Sequence, residues 1–304
     1  MSVLVTGASG FLGTRLVDRL IATGQQVYCV SRRPMPDAYY GKANVQWLET
    51  DLAEEKLNLG HLTDLHTVFH LAGAKEIPAG NDERLLLRDN ELATLTLLQA
   101  CSRLEVRFIH ASTQMVYGDV DSVCVSEDFP LRGAESSPYA VSKLNAENWV
   151  RNAYKRCPGH CIVLRLSGFI EGGGNIDYLI GRALRNESME LYSQGTVYRD
   201  YLPANKGVDA FISAAEYRGG RRFEVFNIGS GQAVNALELA NLIRSELDSR
   251  SEVVLLDRPA PKGNFVFDIR KAVRFLAFEP GDLREAVRNY ARQKRHSLSG
   301  GEHA

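Results

Sequence analysis

Two side chains capable of proton transfer, those of Tyr139 and Lys143, stand four residues apart just after Pro138. Proline is common at the first position of a helix and residues four apart share a helix face, so the spacing predicts that the phenol and the ammonium lie side by side. A phenol with its ordinary pKa of about 10 is a poor base at neutral pH, but a neighbouring cation stabilises its ionised form. The pair therefore indicates acid–base chemistry at a substrate oxygen.

Hydroxyl groups that could assist this pair come earlier in the chain, at Ser112 and Thr113. They follow an apolar run that predicts a strand, and parallel sheets bind their ligands at the carboxyl ends of the strands. A tyrosine–lysine pair at this spacing also arises by chance, so its place on the helix after this strand is what makes it informative.

A glycine-rich turn between a predicted strand, Ser2–Thr6, and a predicted helix indicates a dinucleotide site. Gly7 permits the tight turn, Gly10 lets the backbone approach a phosphate, and Gly13 lets the helix pack on the strand. A pyrophosphate is favoured at the amino-terminal end of that helix by the unpaired N–H groups and the helix dipole. The predicted contacts of the turn are Gly7, Ser9, Gly10, Phe11, Leu12 and Gly13.

The second predicted strand, residues 27–30, is followed by Ser31, Arg32 and Arg33, where an NAD-binding fold normally offers an acidic residue to the adenosine ribose. A hydroxyl and two guanidinium groups suit a ribose 2′-phosphate instead, because arginine makes bidentate charge-assisted bonds to phosphate. These residues favour NADP as the coenzyme. The alternative is that Arg32 and Arg33 are solvated charges and that the coenzyme is NAD.

Two further segments are predicted to line the coenzyme. Asp51 and Leu52 follow the third strand, and Asp51 could accept a hydrogen bond from the adenine amino group. The other segment follows the fourth strand and consists of Leu71, Ala72 and Gly73. His70, directly before it, is interpreted as a packed residue at a strand end without a catalytic role.

Strand and helix signals alternate through the first half of the chain. Further strands are predicted at residues 45–48, 67–71, 106–111 and 161–166, and long helices at 82–104 and 139–157. This alternation predicts an α/β fold, a Rossmann-type doubly wound parallel sheet. We predict a nucleotide-binding domain over residues 1–166, a smaller carboxyl-terminal substrate lobe over 167–293, interleaved with that domain, and a disordered tail over 294–304.

Composition excludes several other classes of protein. The 304 residues are 44% apolar and 24% charged, which argues against disorder and collagen-like repeats. Thirty-six basic and 37 acidic residues leave a net charge of −1, so no electrostatic drive towards nucleic acid or membrane is expected. The five cysteines are predicted to be reduced, and no metal site is predicted. Neither a leader nor an apolar stretch of about 18 residues is recognisable, so a cytoplasmic protein is expected.

Taken in order, these segments resemble an extended short-chain dehydrogenase/reductase, of the branch called NAD-dependent epimerase/dehydratases, which act on nucleotide sugars. The resemblance covers nearly the whole chain. Besides the glycine turn and the tyrosine–lysine pair, it is carried by Asp51-Leu52, residues 70–73, Asn90, Ser112-Thr113, residues 116–118, Leu164-Arg165, residues 199–201 and residues 227–231. It implies a Rossmann domain with a substrate lobe, a nucleotide-sugar substrate and a homodimer formed through the two long helices.

The resemblance also implies roles for individual residues. Thr113 becomes the third catalytic group beside Tyr139 and Lys143, with Ser112 as its substitute, and Lys143 also holds the coenzyme ribose. Asn90 joins the cofactor-binding residues. The implied substrate-binding residues are Lys75, Ser112, Thr113, Tyr117, Asn175, Arg199 and Arg258. Arg199 and Arg258 are assigned to the substrate diphosphate. The alternative for Arg199 is a structural ion pair, and for Arg258 a structural role is favoured.

Departures from the family's pattern narrow the range of reactions that the resemblance implies. The 4,6-dehydratases carry an acidic pair directly after the catalytic threonine, where this chain has Gln114 and Met115, so dehydration and acid-assisted decarboxylation are not expected. Gly168 replaces an asparagine that contacts the substrate phosphates in many members. Either the sugar nucleotide lies differently in this chain or Asn175 compensates.

Three functions remain open. A reductase would pass hydride from NADPH to a 4-keto sugar while Tyr139 donates the proton, and the arginines after the second strand favour this function. A UDP-hexose-type 4-epimerase would keep NAD tightly bound and return the hydride to the other face of the sugar, and Lys75, at a position that holds lysine in some hexose epimerases, favours this one. A non-catalytic regulator that binds NADP is disfavoured by the intact Thr113, Tyr139 and Lys143.

Overall fold

The structure is a computed structural model that describes residues 2–54, 56–62, 64–75 and 82–299. Its strands are β1 (Ser2–Thr6), β2 (Gln26–Ser31), β3 (Val45–Glu49), β4 (Leu65–His70), β5 (Arg107–Thr113), β6 (Ser122–Val125), β7 (His160–Leu166), β8 (Gly168–Phe169), β9 (Met189–Leu191), β10 (Tyr198–Arg199), β11 (Tyr201–Leu202), β12 (Phe223–Ile228), β13 (Val234–Asn235), β14 (Val253–Leu255) and β15 (Phe265–Phe267).

The helices are α1 (Phe11–Ala22), α2 (Glu83–Leu86), α3 (Ala93–Cys101), α4 (Pro138–Ala153), α5 (Asn175–Leu184), α6 (Ala204–Glu216), α7 (Ala236–Glu246), α8 (Arg270–Leu276) and α9 (Leu283–Ser299). A π-helical turn, Leu87–Leu92, joins α2 to α3, so the helix predicted over 82–104 is interrupted by a wider turn. In the described part of the chain, no helix has both the length and the apolar composition needed to cross a membrane.

The central element is a seven-stranded sheet in the order β3–β2–β1–β4–β5–β7–β12. Every strand pair in it is parallel, which confirms the predicted α/β fold. The chain runs outwards from β1 in one direction and from β4 in the other. The carboxyl ends of these two strands therefore flank the crevice where such sheets bind ligands.

Both faces of the sheet are covered by helices, and all five residues of β1 are buried, as expected for a central parallel strand. The core on one face includes Leu16 of α1 and Phe211 of α6. The core on the other face includes Leu97 of α3 and Val150 of α4. Helix α4 begins at Pro138, and the hydroxyl of Ser137 accepts a hydrogen bond from Ala140 N at 3.2 Å, which caps it.

The chain after β7 starts a smaller lobe, returns to the main sheet with β12, and then completes the lobe. Helices α5, α7 and α9 pack in the lobe around Leu179, Ile243 and Val287. Beside them lie a sheet in the order β13–β10–β15–β6 and two parallel strand pairs, β8 with β11 and β9 with β14. Strand β12, which the sequence analysis did not identify, pairs with β7 at the edge of the main sheet.

The predicted disordered tail is wrong for residues 294–299, which continue helix α9. Lys294 Nζ pairs with Asp177 Oδ1 at 2.9 Å, and Arg295 lies 3.9 Å from Asp248. These charged contacts accompany the continuation of the helix through a polar stretch, residues 292–297. Residues 300–304 lie outside the described residues.

Candidate active site

The turn between β1 and α1 forms one wall of a cavity of about 220 Å³. Gly7 has a φ of +67°, and a Cβ there would lie 2.8 Å from Ala72 N. A Cβ on Gly13 would lie 2.0 Å from Gly7 O. Neither position has room for a side chain, so both require glycine. The turn leads into the first turn of α1, where unpaired backbone N–H groups favour an anion. The cradle fits the pyrophosphate of a dinucleotide coenzyme.

The structure gathers most of the predicted cofactor residues around this cavity. Those that line it are Gly7, Ser9, Gly10, Ser31, Arg32, Arg33, Asp51, Leu52, Leu71, Ala72 and Gly73. Phe11, Leu12 and Gly13 form the first turn of α1. The hydroxyls of Ser9 and Ser31 share a hydrogen bond of 2.7 Å, which ties the turn to the end of β2.

Arg32 does not stand free for a phosphate. Its guanidinium donates to Asp89 Oδ1 at 3.1 Å and Oδ2 at 2.9 Å, and it lies 3.9 Å from Asp51 Oδ2. Arg88 also pairs with Asp51 and, at 2.7 Å, with Asp89. Arg32 and Arg88 are therefore compensated by carboxylates, and two of these, Asp51 and Asp89, border the same cavity and would repel a ribose 2′-phosphate. Arg33 also borders the cavity and forms no ion pair among the described residues.

The sequence analysis missed Arg88 and Asp89 because their partners are distant along the chain. Asp89 follows Arg32 by 57 residues. It lies in the π-helical turn and is buried, and such turns are frequent at functional sites. The adjacent acidic and basic residues carry no recognisable motif, so only the folded chain reveals their charge pairing.

Asn90, in the same π-helical turn, faces both the cofactor segment and the catalytic helix. Its Nδ2 donates to Ser142 Oγ at 2.8 Å. Its buried Oδ1 has no hydrogen-bond partner among the described residues, and a Cβ on Gly73 would lie 2.5 Å from it. An open acceptor against a segment that lines the cavity fits a bound coenzyme or its ordered water.

A buried chain of hydrogen bonds lies behind this wall. Thr94 Oγ1 donates to Asn90 O at 2.6 Å, so it accepts from His70 Nε2 at 2.8 Å. His70 Nδ1 then accepts from Thr6 Oγ1 at 2.8 Å. Burial lowers the pKa of His70 to about 3, so the ring stays neutral in one tautomer. His70 is a packed residue at a strand end that joins β1, β4 and the π-helical turn.

Tyr139 and Lys143 begin helix α4 beside the carboxyl end of β5. Lys143 Nζ donates to Ala111 O at 2.6 Å, which fixes the helix to that strand. Tyr139, half-buried, lies one turn closer to the start of the helix and therefore nearer the edge of the sheet. Thr113 is the last residue of β5, at the same edge, and its Oγ1 accepts from Met115 N at 3.3 Å.

The charge of Lys143 is sensitive to its surroundings. Burial lowers the pKa of this ammonium to about 8 from 10.5, and the carboxylate of Glu147, one turn further along α4, opposes the shift. At neutral pH Lys143 therefore still carries the positive charge that stabilises a tyrosine phenolate. The groups at the start of α4 can move a proton at a substrate oxygen.

The structure corrects the predicted substrate roles of Ser112 and Tyr117, which are both buried. Ser112 Oγ donates to Glu147 Oε1 at 2.5 Å. The hydroxyl of Tyr117, none of whose surface is exposed, donates to Asn227 Oδ1 at 2.7 Å and accepts from Arg165 Nη1 at 2.9 Å. Their polar groups are already bonded inside the protein, where a sugar nucleotide has no access.

Glu147 and Arg165 form the centre of this network. Arg165 Nη2 lies 2.8 Å from Glu147 Oε2, and only 2% and 1% of the two side chains are exposed. The pair joins α4 to β7 one helical turn beyond Lys143. The sequence analysis did not single out Glu147, although its position four residues after Lys143 places it on the same helix face.

The remaining predicted substrate residues are Lys75 of the nucleotide-binding domain and three residues of the lobe, Asn175, Arg199 and Arg258. Arg199 makes no ion pair among the described residues: its guanidinium donates to Lys262 O at 2.7 Å and to Gly263 O. Arg258 is exposed, 6.0 Å from the centre of the Tyr192 ring. Lys75 is exposed at the end of the described range 64–75, and Asn175 is exposed at the first position of α5.

The positions after Thr113 carry no carboxylate. Gln114 Oε1 is buried without a hydrogen-bond partner among the described residues, and Met115 Sδ lies 3.1 Å from Lys262 Nζ. Gly168 is not required by crowding, since a Cβ there would lie 3.8 Å from the Tyr201 ring, an ordinary contact. Gly168 therefore offers no side chain to a substrate phosphate, although the position has room for one.

Comparisons with known proteins agree with this geometry. Residues 3–229 match the NAD dependent epimerase/dehydratase family. The structure superposes on MoeE5 in complex with UDP-glucuronic acid and NAD with a TM-score of 0.84, at 33% identity over 98% of this chain and 100% of MoeE5.

Two epimerases are also similar. The UDP-glucose 4-epimerase of Thermotoga maritima, solved with UDP-glucose, gives a TM-score of 0.84 at 25% identity over 98% of this chain and 100% of its own. The UDP-glucose 4-epimerase of Mycolicibacterium smegmatis is 29% identical over 83% of this chain and 84% of its own.

Proposed function

This chain belongs to the NAD-dependent epimerase/dehydratase family, and we propose that it is a 4-epimerase of a UDP-linked hexose or hexuronate that keeps NAD bound through its catalytic cycle. The observation that supports this most is the pairing of Arg32 with Asp89 and Asp51. A ribose 2′-phosphate would have to break these pairs and approach two carboxylates. The coenzyme proposed is therefore NAD in place of the NADP that the sequence favours, and a bound NAD suits an enzyme that regenerates it in every turnover.

The similar proteins support the substrate class. MoeE5 was solved with UDP-glucuronic acid and with UDP-glucose, and the Thermotoga maritima epimerase with UDP-glucose. Because these proteins align over nearly all of this chain, we propose the same nucleotide and a hexose or hexuronate as the sugar. The absence of a carboxylate at Gln114 and Met115 argues against dehydration, since water elimination needs an acid there.

The mechanism uses the three groups at the carboxyl end of β5. Tyr139, as phenolate, takes the proton of the sugar 4-hydroxyl and later returns it to the 4-oxygen on the opposite face of the ring. Lys143 keeps the phenolate stable with its positive charge. Thr113 holds the 4-oxygen by a hydrogen bond from its hydroxyl, whose lone pair is already engaged by Met115 N at 3.3 Å. NAD held at the glycine-rich turn between β1 and α1 would supply the hydride acceptor for C4, and the 4-keto sugar would have to turn over in the site so that the hydride returns to its other face.

The experiment is an epimerisation assay without added coenzyme. We expect the purified protein, loaded with NAD, to interconvert UDP-glucose and UDP-galactose, or UDP-glucuronic acid and UDP-galacturonic acid, as followed by chromatography. Tyr139→Phe should lower turnover by about 10²- to 10⁴-fold and leave the Kd for NAD within about threefold, because the hydroxyl acts in proton transfer.

Two outcomes would contradict the proposal. Oxidation of NADPH by a nucleotide 4-keto sugar, with no epimerisation of either sugar pair, would restore the reductase. A Tyr139→Phe variant that kept full biological activity would show that the chain acts by binding its coenzyme.

We also propose a homodimer that forms through the π-helical turn and α4. Leu87, Leu92 and Trp149 leave large apolar side chains exposed there, whereas Leu97 of α3 belongs to the core. Sedimentation velocity should show a dimer that Trp149→Glu converts to a monomer. Phe275→Glu, at an equally exposed aromatic residue on α8, is the matched control and should leave the dimer intact.

A further inference from the structure

Arg199 ties down the loop after β14, residues 256–264. Its guanidinium donates to Lys262 O at 2.7 Å and to Gly263 O. Ser193 Oγ accepts from Ala260 N at 2.7 Å and anchors the loop at a second point. The segment that carries Lys262 is therefore held in place against the lobe.

The side chain of Lys262 reaches back to the reacting end of the main sheet. Its Nζ lies 3.1 Å from Met115 Sδ. Met115 N, in turn, donates to Thr113 Oγ1 at 3.3 Å. A single methionine residue thus spans the gap between the ammonium of Lys262 and the hydroxyl that is assigned above to the sugar 4-oxygen.

The ammonium of Lys262 lacks a counter-charge. A thioether sulfur is a weak hydrogen-bond acceptor, and no carboxylate of the described residues lies within ion-pair distance of this half-buried side chain. Asp121, the acid that contacts the same loop, accepts from Asn264 N at 2.9 Å and Nδ2 at 2.7 Å. Lys262 can therefore take an anionic oxygen, the partner that forms the strongest hydrogen bonds with an ammonium.

We propose that Lys262 binds a carboxylate at C6 of the sugar and so selects a UDP-hexuronate over a neutral UDP-hexose. In a hexose, C6 is attached to C5, the neighbour of C4, whereas the diphosphate is attached to C1 on the other side of the ring. A cation one side chain away from the 4-oxygen therefore meets the C6 substituent before it meets the diphosphate. The inference rests on the proposed function, because that function places the 4-oxygen at Thr113.

The test compares binding of three ligands to the NAD-loaded protein by isothermal titration calorimetry. UDP-glucuronic acid carries a C6 carboxylate, UDP-glucose has a neutral C6 hydroxyl in its place, and UDP has no sugar. Lys262→Met removes the charge at similar length, Lys262→Arg keeps it, and Lys42→Met removes an exposed lysine as the matched control. Epimerisation of both sugars is measured in parallel, starting from each C4 epimer, since the ring presents opposite faces in the two directions.

We expect Lys262→Met to raise the Kd for UDP-glucuronic acid by about 10- to 100-fold, the range of a lost charge-assisted hydrogen bond. The Kd values for UDP-glucose and UDP should change by less than about threefold. Lys262→Arg and Lys42→Met should keep the preference of the wild-type protein. An equal loss for all three ligands would place Lys262 at the diphosphate and overturn the inference. So would an unchanged preference in Lys262→Met.

The two proposals fail separately. A protein that epimerises its substrate but shows no dependence on Lys262 refutes this inference alone. If the protein epimerises neither sugar, but Lys262→Met selectively weakens the binding of UDP-glucuronic acid, the proposed function alone is refuted.

Discussion

Replacement of Glu147 by glutamine removes a negative charge from the centre of the buried network that joins α4 to β7. Glu147 accepts hydrogen bonds from Arg165 Nε at 3.1 Å, from Arg165 Nη2 at 2.8 Å and from Ser112 Oγ at 2.5 Å. Glutamine has nearly the same shape, but it carries no charge and has one acceptor oxygen in place of two. Its amide NH₂ therefore faces a donor, and the guanidinium of Arg165 loses its counter-charge.

The expected cost follows from burial. With only 1% of Glu147 and 2% of Arg165 exposed, solvent cannot replace the lost partner. Breaking a buried ion pair on one side costs about 3–5 kcal/mol. Against a total stability of about 5–15 kcal/mol, this is a large fraction. For a chain of 304 residues it corresponds to a fall in Tm of about 5–8 °C.

Urea denaturation of Glu147→Gln, followed by circular dichroism, measures this loss in the free energy of unfolding. Lys294→Met, which breaks the exposed pair with Asp177, is the matched control and should cost less than about 1 kcal/mol. A double variant with Glu147→Leu and Arg165→Met removes both charges and should cost less than Glu147→Gln alone. A Glu147→Gln protein as stable as the wild type would refute the reasoning, because the loss depends on a pair that is both buried and charged.

Three further predictions concern the coenzyme site and the catalytic helix. Tyr117→Phe should lower the free energy of unfolding by about 1–3 kcal/mol and leave KM for the sugar nucleotide unchanged; a raised KM at unchanged stability would return Tyr117 to the substrate site. Asp89→Asn should shift the ratio of Kd values towards NADP by about tenfold, as fluorescence titration can show, because Arg32 loses its partner. The folded pKa of Lys143, about 8, lies below its unfolded value, so folding is penalised below pH 8 and the penalty fades as pH rises towards 10.5. The stability of the wild type relative to Lys143→Met should therefore increase by up to about 3 kcal/mol between these pH values, and a flat difference would contradict the shift.

The first wall of the site could be predicted from the sequence because its determinants are local. Gly7 and Gly13 are needed where two backbone segments meet too closely for a Cβ, and they stand within one turn between a strand and a helix. The start of α4 is local too: a capping serine, a proline and a tyrosine–lysine pair lie within seven residues, Ser137 to Lys143. Patterns of this kind require no knowledge of distant parts of the chain.

The expectations that the structure does not support involve partners far away in the sequence. Arg32 was assigned to a ribose 2′-phosphate because it follows the second strand, where an NAD-binding fold normally has an acidic residue, while its counter-charge, Asp89, comes from another segment. Arg199 was assigned to diphosphate, but it bonds the carbonyl groups of a loop 63 residues later. A guanidinium satisfies backbone oxygens as well as anions, and the residue type alone does not tell which it meets.

The carboxyl-terminal helix illustrates the same limit for secondary structure. Leu283, Val287 and Ala291 supply a buried stripe at helical spacing, and the next six residues, 292–297, are polar or charged. The helix nevertheless runs to Ser299, with Lys294 paired to Asp177 of α5. Apolar periodicity reports only the part of a helix that packs on a core, so it ends before the helix does.

The proposed function separates epimerisation from reduction at the coenzyme site, not at the groups that transfer the proton. Both reactions need the same proton transfer at Tyr139 and the same cation at Lys143, so neither residue distinguishes them. They differ in whether the coenzyme leaves as a spent reductant or stays to be regenerated. Under the proposed function, Asp51 and Asp89 act on that difference, because carboxylates placed near the adenosine ribose would disfavour NADPH, the usual donor for net reduction. Changing the coenzyme site, with the catalytic groups untouched, is therefore the perturbation that separates the two reactions.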